Sequence, residues 1–110
     1  MNPKLLLLGK DPNKLEDLAT KLQQFSSDII TEVEENKISE LLNNEPVSII
    51  VLDSSLSEEE REKHKDHILS LNKRIPYHLL SNNKDTAYKD LITFLQTSLR
   101  AINQQASVGK

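Results

Sequence analysis

The chain has 110 residues, 36% hydrophobic and 28% charged, which suits one soluble domain with a modest core. A net charge of −3 gives no electrostatic footprint for nucleic acid, and the absence of cysteine excludes disulfides, thiolate chemistry and cysteine-based zinc sites. Two glycines and no tryptophan leave little for glycine-rich phosphate loops or aromatic base-stacking platforms.

In chain order, Lys4 to Leu8 is a short apolar run that reads as a first buried strand, far too short for a membrane span or signal-peptide core. Asp11-Pro12 then marks a helix start, with Asp11 as N-cap and Pro12 in the first turn. Leu15, Leu18, Ala19, Leu22 and Phe25 recur at helical spacing. Ile29 to Val33 reads as a second strand, at an edge because of Thr31 and Glu32. Asn36 is placed to cap a short helix carrying Ile38, Leu41 and Leu42. Val47 to Asp53 is the most telling stretch: apolar apart from Ser48, largely β-branched and closed by a carboxylate. It reads as a strand buried on both faces at the centre of a parallel sheet. Open α/β sheets gather their functional groups at that carboxyl edge.

Ser57 and Glu60 form a capping box opening a third helix, about Glu58 to Lys73, whose first turns should be solvated. Tyr77 to Ser81 is a fourth strand, 81–85 a loop, and Thr86 to Gln104 a final helix. Residues 105–110 read as a polar, disordered tail after one domain of residues 1–104. The alternation predicts an α/β, flavodoxin-like three-layer sandwich, with four parallel strands (five if the 82–85 loop contributes one) and helices on both faces.

With these elements in place, the chain resembles a CheY-like response-regulator receiver domain. The carrying residues are Leu5 to Pro12, Ile50-Val51-Leu52-Asp53, and Ile75-Pro76-Tyr77-His78-Leu79-Leu80-Ser81. Within that family, Asp11-Pro12, Glu16-Asp17-Leu18-Ala19, Ile75-Pro76 and Asn82-Asn83-Lys84 are most similar to the degenerate receiver at the front of FleQ-type flagellar transcription regulators. The resemblance places the phosphoacceptor at Asp53 and the switch hydroxyl at Ser81. The acidic pair that holds Mg²⁺ falls on Gly9 and Lys10, neither of which can serve. An acidic pair plus acceptor would carry about −3, against about zero for Gly9, Lys10 and Asp53; each unit near 4 Å is worth roughly 4 kcal/mol. Lys10 either reaches Asp53 in place of the cation or points to water.

These departures imply a pseudo-receiver, not an enzyme and without cofactor, that regulates signalling or transcription as a cytoplasmic protein-interaction module and homodimer. It would contact neither nucleic acid nor membrane directly. Tyr88 and Phe94, off the main stripe of the last helix, are the expected interface. One alternative is a working receiver phosphorylated on Asp53 by a histidine kinase, with Asp11 completing a weak Mg²⁺ site. Another is a small-molecule sensor using the same cleft. Glu60, His64 and His67 have helical spacing for a metal, but more simply form a solvated face. Ser54 and Ser81 lack the partners of a nucleophilic serine, and Gly9-Lys10-Asp11 lacks phosphate-loop spacing.

Overall fold

Four short parallel strands and four helices alternate along the chain in a computed structural model, which describes residues 3–70, 75–80 and 84–108. The elements are β1 (Lys4–Leu8), α1 (Pro12–Leu22), β2 (Asp28–Glu32), α2 (Glu35–Asn44), β3 (Ile49–Leu52), α3 (Glu58–Ser70), β4 (Tyr77–Leu79) and α4 (Lys84–Val108). The sheet order is β2-β1-β3-β4, all parallel, the doubly wound order with four strands among the described residues. Leu5 pairs with Ile29 on one side and Ile49 on the other. No helix among the described residues is long and apolar enough to cross a membrane.

Strand alternation splits the core into two layers. Leu5, Leu7, Ile49 and Val51 pack against Leu15, Leu18 and Leu22 of α1 and Leu91 and Leu95 of α4. Leu6, Leu8, Ile50 and Leu52 face Ile38 and Leu42 of α2 and Ile68 of α3. Every residue from Leu5 to Leu8 and from Ile49 to Leu52 is fully buried, as an apolar run covered on both faces requires. The three-layer α/β architecture expected from the sequence is therefore the one observed.

Local signals set several boundaries. Asp11 accepts hydrogen bonds from the backbone of Asn13 and Lys14, with Pro12 in the first turn of α1. Ser57 and Glu60 exchange the reciprocal bonds of a capping box, at 2.9 and 3.2 Å. Three expectations need correction. Helix α2 starts at Glu35 after an N-cap Glu34 that makes no side-chain cap, so Asn36 lies inside it. Helix α4 begins two residues before Thr86 and continues through Val108, past the limit set at Gln104, because no glycine or proline interrupts 105–108.

The third correction concerns α3. His64 is not on a solvated face: it is 6% exposed, among the few buried polar residues. Helix α3 is so polar that Ile68 is its other buried side chain, and the imidazole supplies the rest of its inner surface. Burial pushes the His64 pKa below its ordinary 6.5, with Glu35 and Glu60 opposing and His67 reinforcing the shift. His78 in β4 is pushed down by burial too, against Asp90. The unfolded chain therefore binds more protons than the folded one just below the ordinary value. Stability from neutral His64 is complete above pH 6.5 and is lost as pH falls toward the folded pKa. Thermal melts should show the melting temperature falling as pH drops below 6.5. His64→Leu should flatten that fall, leaving the part due to His78; an unchanged slope would mean His64 is not buried neutral.

Candidate functional site

The reversal of strand order between β1 and β3 opens the crevice where doubly wound sheets place ligands, beyond the carboxyl ends of those two strands. Gly9 and Lys10 leave β1 there, and Asp53, Ser54 and Ser55 leave β3. Asp53 is 3% exposed. A buried carboxylate needs hydrogen-bond donors, and this one takes them from its own loop. Ser55 Oγ donates to Asp53 Oδ2 at 2.9 Å, and Ser54 Oγ lies 3.4 Å from Oδ1. The Asp53 amide is tied to the Leu8 carbonyl at 2.7 Å.

Ser55 also joins the two loops. Its Oγ accepts the Lys10 amide N–H at 2.9 Å and lies 3.4 Å from the Asp11 amide. One hydroxyl thus carries a hydrogen-bond path from the β1–α1 loop to the Asp53 carboxylate. Gly9 lines the other side. A Cβ placed on it would sit 2.9 Å from Asp53 Oδ2 and 3.0 Å from both Asp53 Cβ and Leu15 Cδ2. The first position of the expected acidic pair is therefore occupied by bare backbone pressed against the carboxylate.

Lys10 does not pair with Asp53; its side chain is largely exposed to water. Its Nζ makes a 2.7 Å ion pair with Glu60 Oε2, bridging the β1–α1 loop to the start of α3. Lys10, helped by the Ser57 amide, holds the Glu60 carboxyl down at about 2. Asp11 spends its Oδ1 on the N-terminus of α1. Ser81, the expected switch hydroxyl, lies outside the described residues, as do 82–83; the rest of the 82–85 loop considered for a fifth strand, Lys84 and Asp85, is instead the start of helix α4.

Arg61 was not singled out from the sequence. It directly follows Glu60 of the capping box and reaches back over the sheet edge, where Nη2 donates to the Leu80 carbonyl at 2.6 Å and lies 3.5 Å from that of Asp53. It clips the ends of β3 and β4 together. The available sequence signal was an arginine in the first turns of a helix with few apolar anchors. Lys10 thus pairs with the Glu60 carboxylate, while Arg61 is held by main-chain carbonyls rather than by a carboxylate.

The aromatic pair expected at an interface divides. Tyr88 is 37% exposed, but its hydroxyl accepts from Gln24 Nε2 at 3.2 Å and Lys21 Nζ lies 5.8 Å from its ring. Phe94 is not an exposed aromatic: it packs against the α1–α4 core layer, with its ring 4.9 Å from that of His78. Glu60, His64 and His67 do not form a metal site, and no group of three or more His, Asp or Glu among the described residues could hold one. A shallow groove elsewhere is lined by Glu34, Glu35, Asn36, Ser39 and His67.

Comparison of the chain with models of protein families, with curated proteins and with solved structures finds no match.

The geometry separates two roles that charge counting alone would merge. Ser55→Ala strips Asp53 of its shorter bond, and Gly9→Ala forces a methyl against it. Each should lower stability by about 1–3 kcal/mol in urea unfolding. Lys10→Ala removes an ion pair on an exposed side chain, so its melting temperature should barely move. A Lys10→Ala loss as large as that of Ser55→Ala would show the ion pair, rather than the hydroxyl, to be the main tie.

Proposed function

We propose that this chain is a pseudo-receiver, a receiver-like α/β domain that works as a phosphorylation-independent regulatory interaction module in cytoplasmic signalling or transcription control. Its partner is another protein or a second copy of itself, and it catalyses nothing. The observation that carries this reading is the closed state of the crevice: Asp53 is buried and bonded to Ser55, Gly9 backbone lies against it, and Lys10 is committed to Glu60.

Phosphoryl transfer to a carboxylate depends on an approachable acceptor and on a divalent cation neutralising phosphate charge. Mg²⁺ is held through carboxylates and water, and the two positions that would supply them carry no side chain and a cation. Moving Lys10 into the cleft would bring positive charge where a dication must sit. Opening Asp53 would also leave the Lys10 amide without its Ser55 partner. Retaining such a domain makes sense where its outer surfaces do the work.

The test is an amide NMR titration with Mg²⁺ and beryllofluoride, a phosphoryl mimic, on wild type and Asp53→Asn. Resonances of Gly9, Asp53 and Ser55 should stay in place through millimolar Mg²⁺. Saturable shifts in the wild type that vanish in the variant would overturn the reading in favour of a working phosphoacceptor.

A further inference from the structure

We infer that the outer edge of β4 is a self-association edge, where a second copy of this chain adds its own β4 antiparallel about a two-fold axis through His78. This deepens the interaction-module reading and rests on it, by naming the partner and the surface.

Among the described residues the sheet ends at β2 on one side and at β4 on the other. The two edges differ in charge. Strand β2 reads Asp-Ile-Ile-Thr-Glu, so antiparallel self-pairing about Ile30 sets Asp28 opposite Glu32 twice. Like charges directly opposite are destabilising, and charge at an edge is a standard protection against sheet-to-sheet pairing. Lys4 relieves this only in part, since its Nζ lies 3.7 Å from Asp28 but is shared with Glu45 at 2.6 Å, and Glu32 is left out of that pairing.

Strand β4 carries no such protection. It reads Tyr77-His78-Leu79, with a histidine that burial keeps toward its neutral form. Pairing about His78 sets Tyr77 opposite Leu79 twice, an aromatic–aliphatic contact of the favourable kind. The backbone fits that register. Pro76 O accepts from Ile50 N–H and Leu80 N–H donates to Leu52 O, at 3.0 and 2.8 Å, so ladder bonds use alternate residues. The amides and carbonyls of Tyr77 and Leu79 therefore face outward, as the two hydrogen-bonded pairs flanking a central non-hydrogen-bonded His78 pair require.

The edge is also held ready. Arg61 pins Leu80 to the end of β3, and the Phe94 ring backs His78 at 4.9 Å. Leu79 is 37% exposed, one of four large apolar side chains so placed among the described residues. The product would be a continuous eight-stranded sheet in the order β2-β1-β3-β4-β4-β3-β1-β2. Three residues a side make a small interface, so the dimer should be weak and concentration-dependent.

The experiment is a sedimentation-velocity concentration series on wild type and Leu79→Lys, with disulfide trapping of His78→Cys. Paired non-hydrogen-bonded residues stand near the spacing a disulfide needs, and the native chain has no cysteine to interfere. Ile30→Cys, at the centre of β2, is the matched control. The expected result is a reversible wild-type dimer, weakened about ten-fold or more by Leu79→Lys. His78→Cys, but not Ile30→Cys, should oxidise to a covalent dimer. A wild type that stays monomeric at every concentration overturns the edge. So does a dimer that survives Leu79→Lys and does not trap at position 78, which would leave the interaction-module reading standing on another surface. A saturable beryllofluoride response would instead defeat that reading without touching the edge.

Discussion

Burying a carboxylate at the mouth of a parallel sheet is the constraint around which the top of this molecule is arranged. Left unpaired, such a group costs several kcal/mol or takes up a proton, so donors must be supplied from somewhere. Here they come from the next two residues, Ser54 and Ser55, and the shorter bond is made by Ser55. Because the same hydroxyl accepts the Lys10 amide, satisfying Asp53 also fixes where the β1–α1 loop lies. That in turn requires Gly9, since a side chain there would enter the carboxylate. The β1–α1 loop and the β3–α3 loop, far apart in sequence, are thus tied by one hydrogen-bond path, and the Lys10–Glu60 ion pair lies outside it.

The parts legible in the sequence were those written locally. Two apolar runs, Leu5 to Leu8 and Ile49 to Leu52, specify doubly covered strands because only that environment buries every successive side chain. Asp11-Pro12 and the Ser57–Glu60 box specify helix starts because the side chain that caps and the amides it caps are within four residues. Parallel pairing with helices on both faces followed from alternation and short connections. None of this required knowing which side chains meet across the fold.

What stayed hidden was tertiary. Lys10 had two nearby carboxylates to choose from, and the choice of Glu60 depends on where the capping box holds that side chain. Burial of His64 ran against the polarity of its helix; a strongly acidic and basic segment reads as solvated unless one knows that α3 covers the sheet with Ile68 and little else apolar. Phe94 looked exposed because it falls off the Leu91–Leu95 stripe. Yet α4 lies close enough to the edge that β4, through His78, covers a second side of the helix. A single-stripe view of a helix fails wherever the helix overlaps the last strand of a sheet.

The crevice and the edge answer to different physics. At the crevice, Asp53 is bonded to Ser55 and Lys10 is paired with Glu60, so a phosphate or cation approaching those groups must first break contacts already made. At the β4 edge the outward amides of Tyr77 and Leu79 have no partner among the described residues and no charge to discourage one. The acidic ends of β2 show that this sequence does guard the opposite side of the same sheet. Asymmetric protection of two otherwise equivalent edges is a property of the side chains, not of the architecture, and fold alone does not assign it. On the proposed reading, the residues that distinguish this domain are the ones that close its crevice, while the edge they leave bare is where association begins.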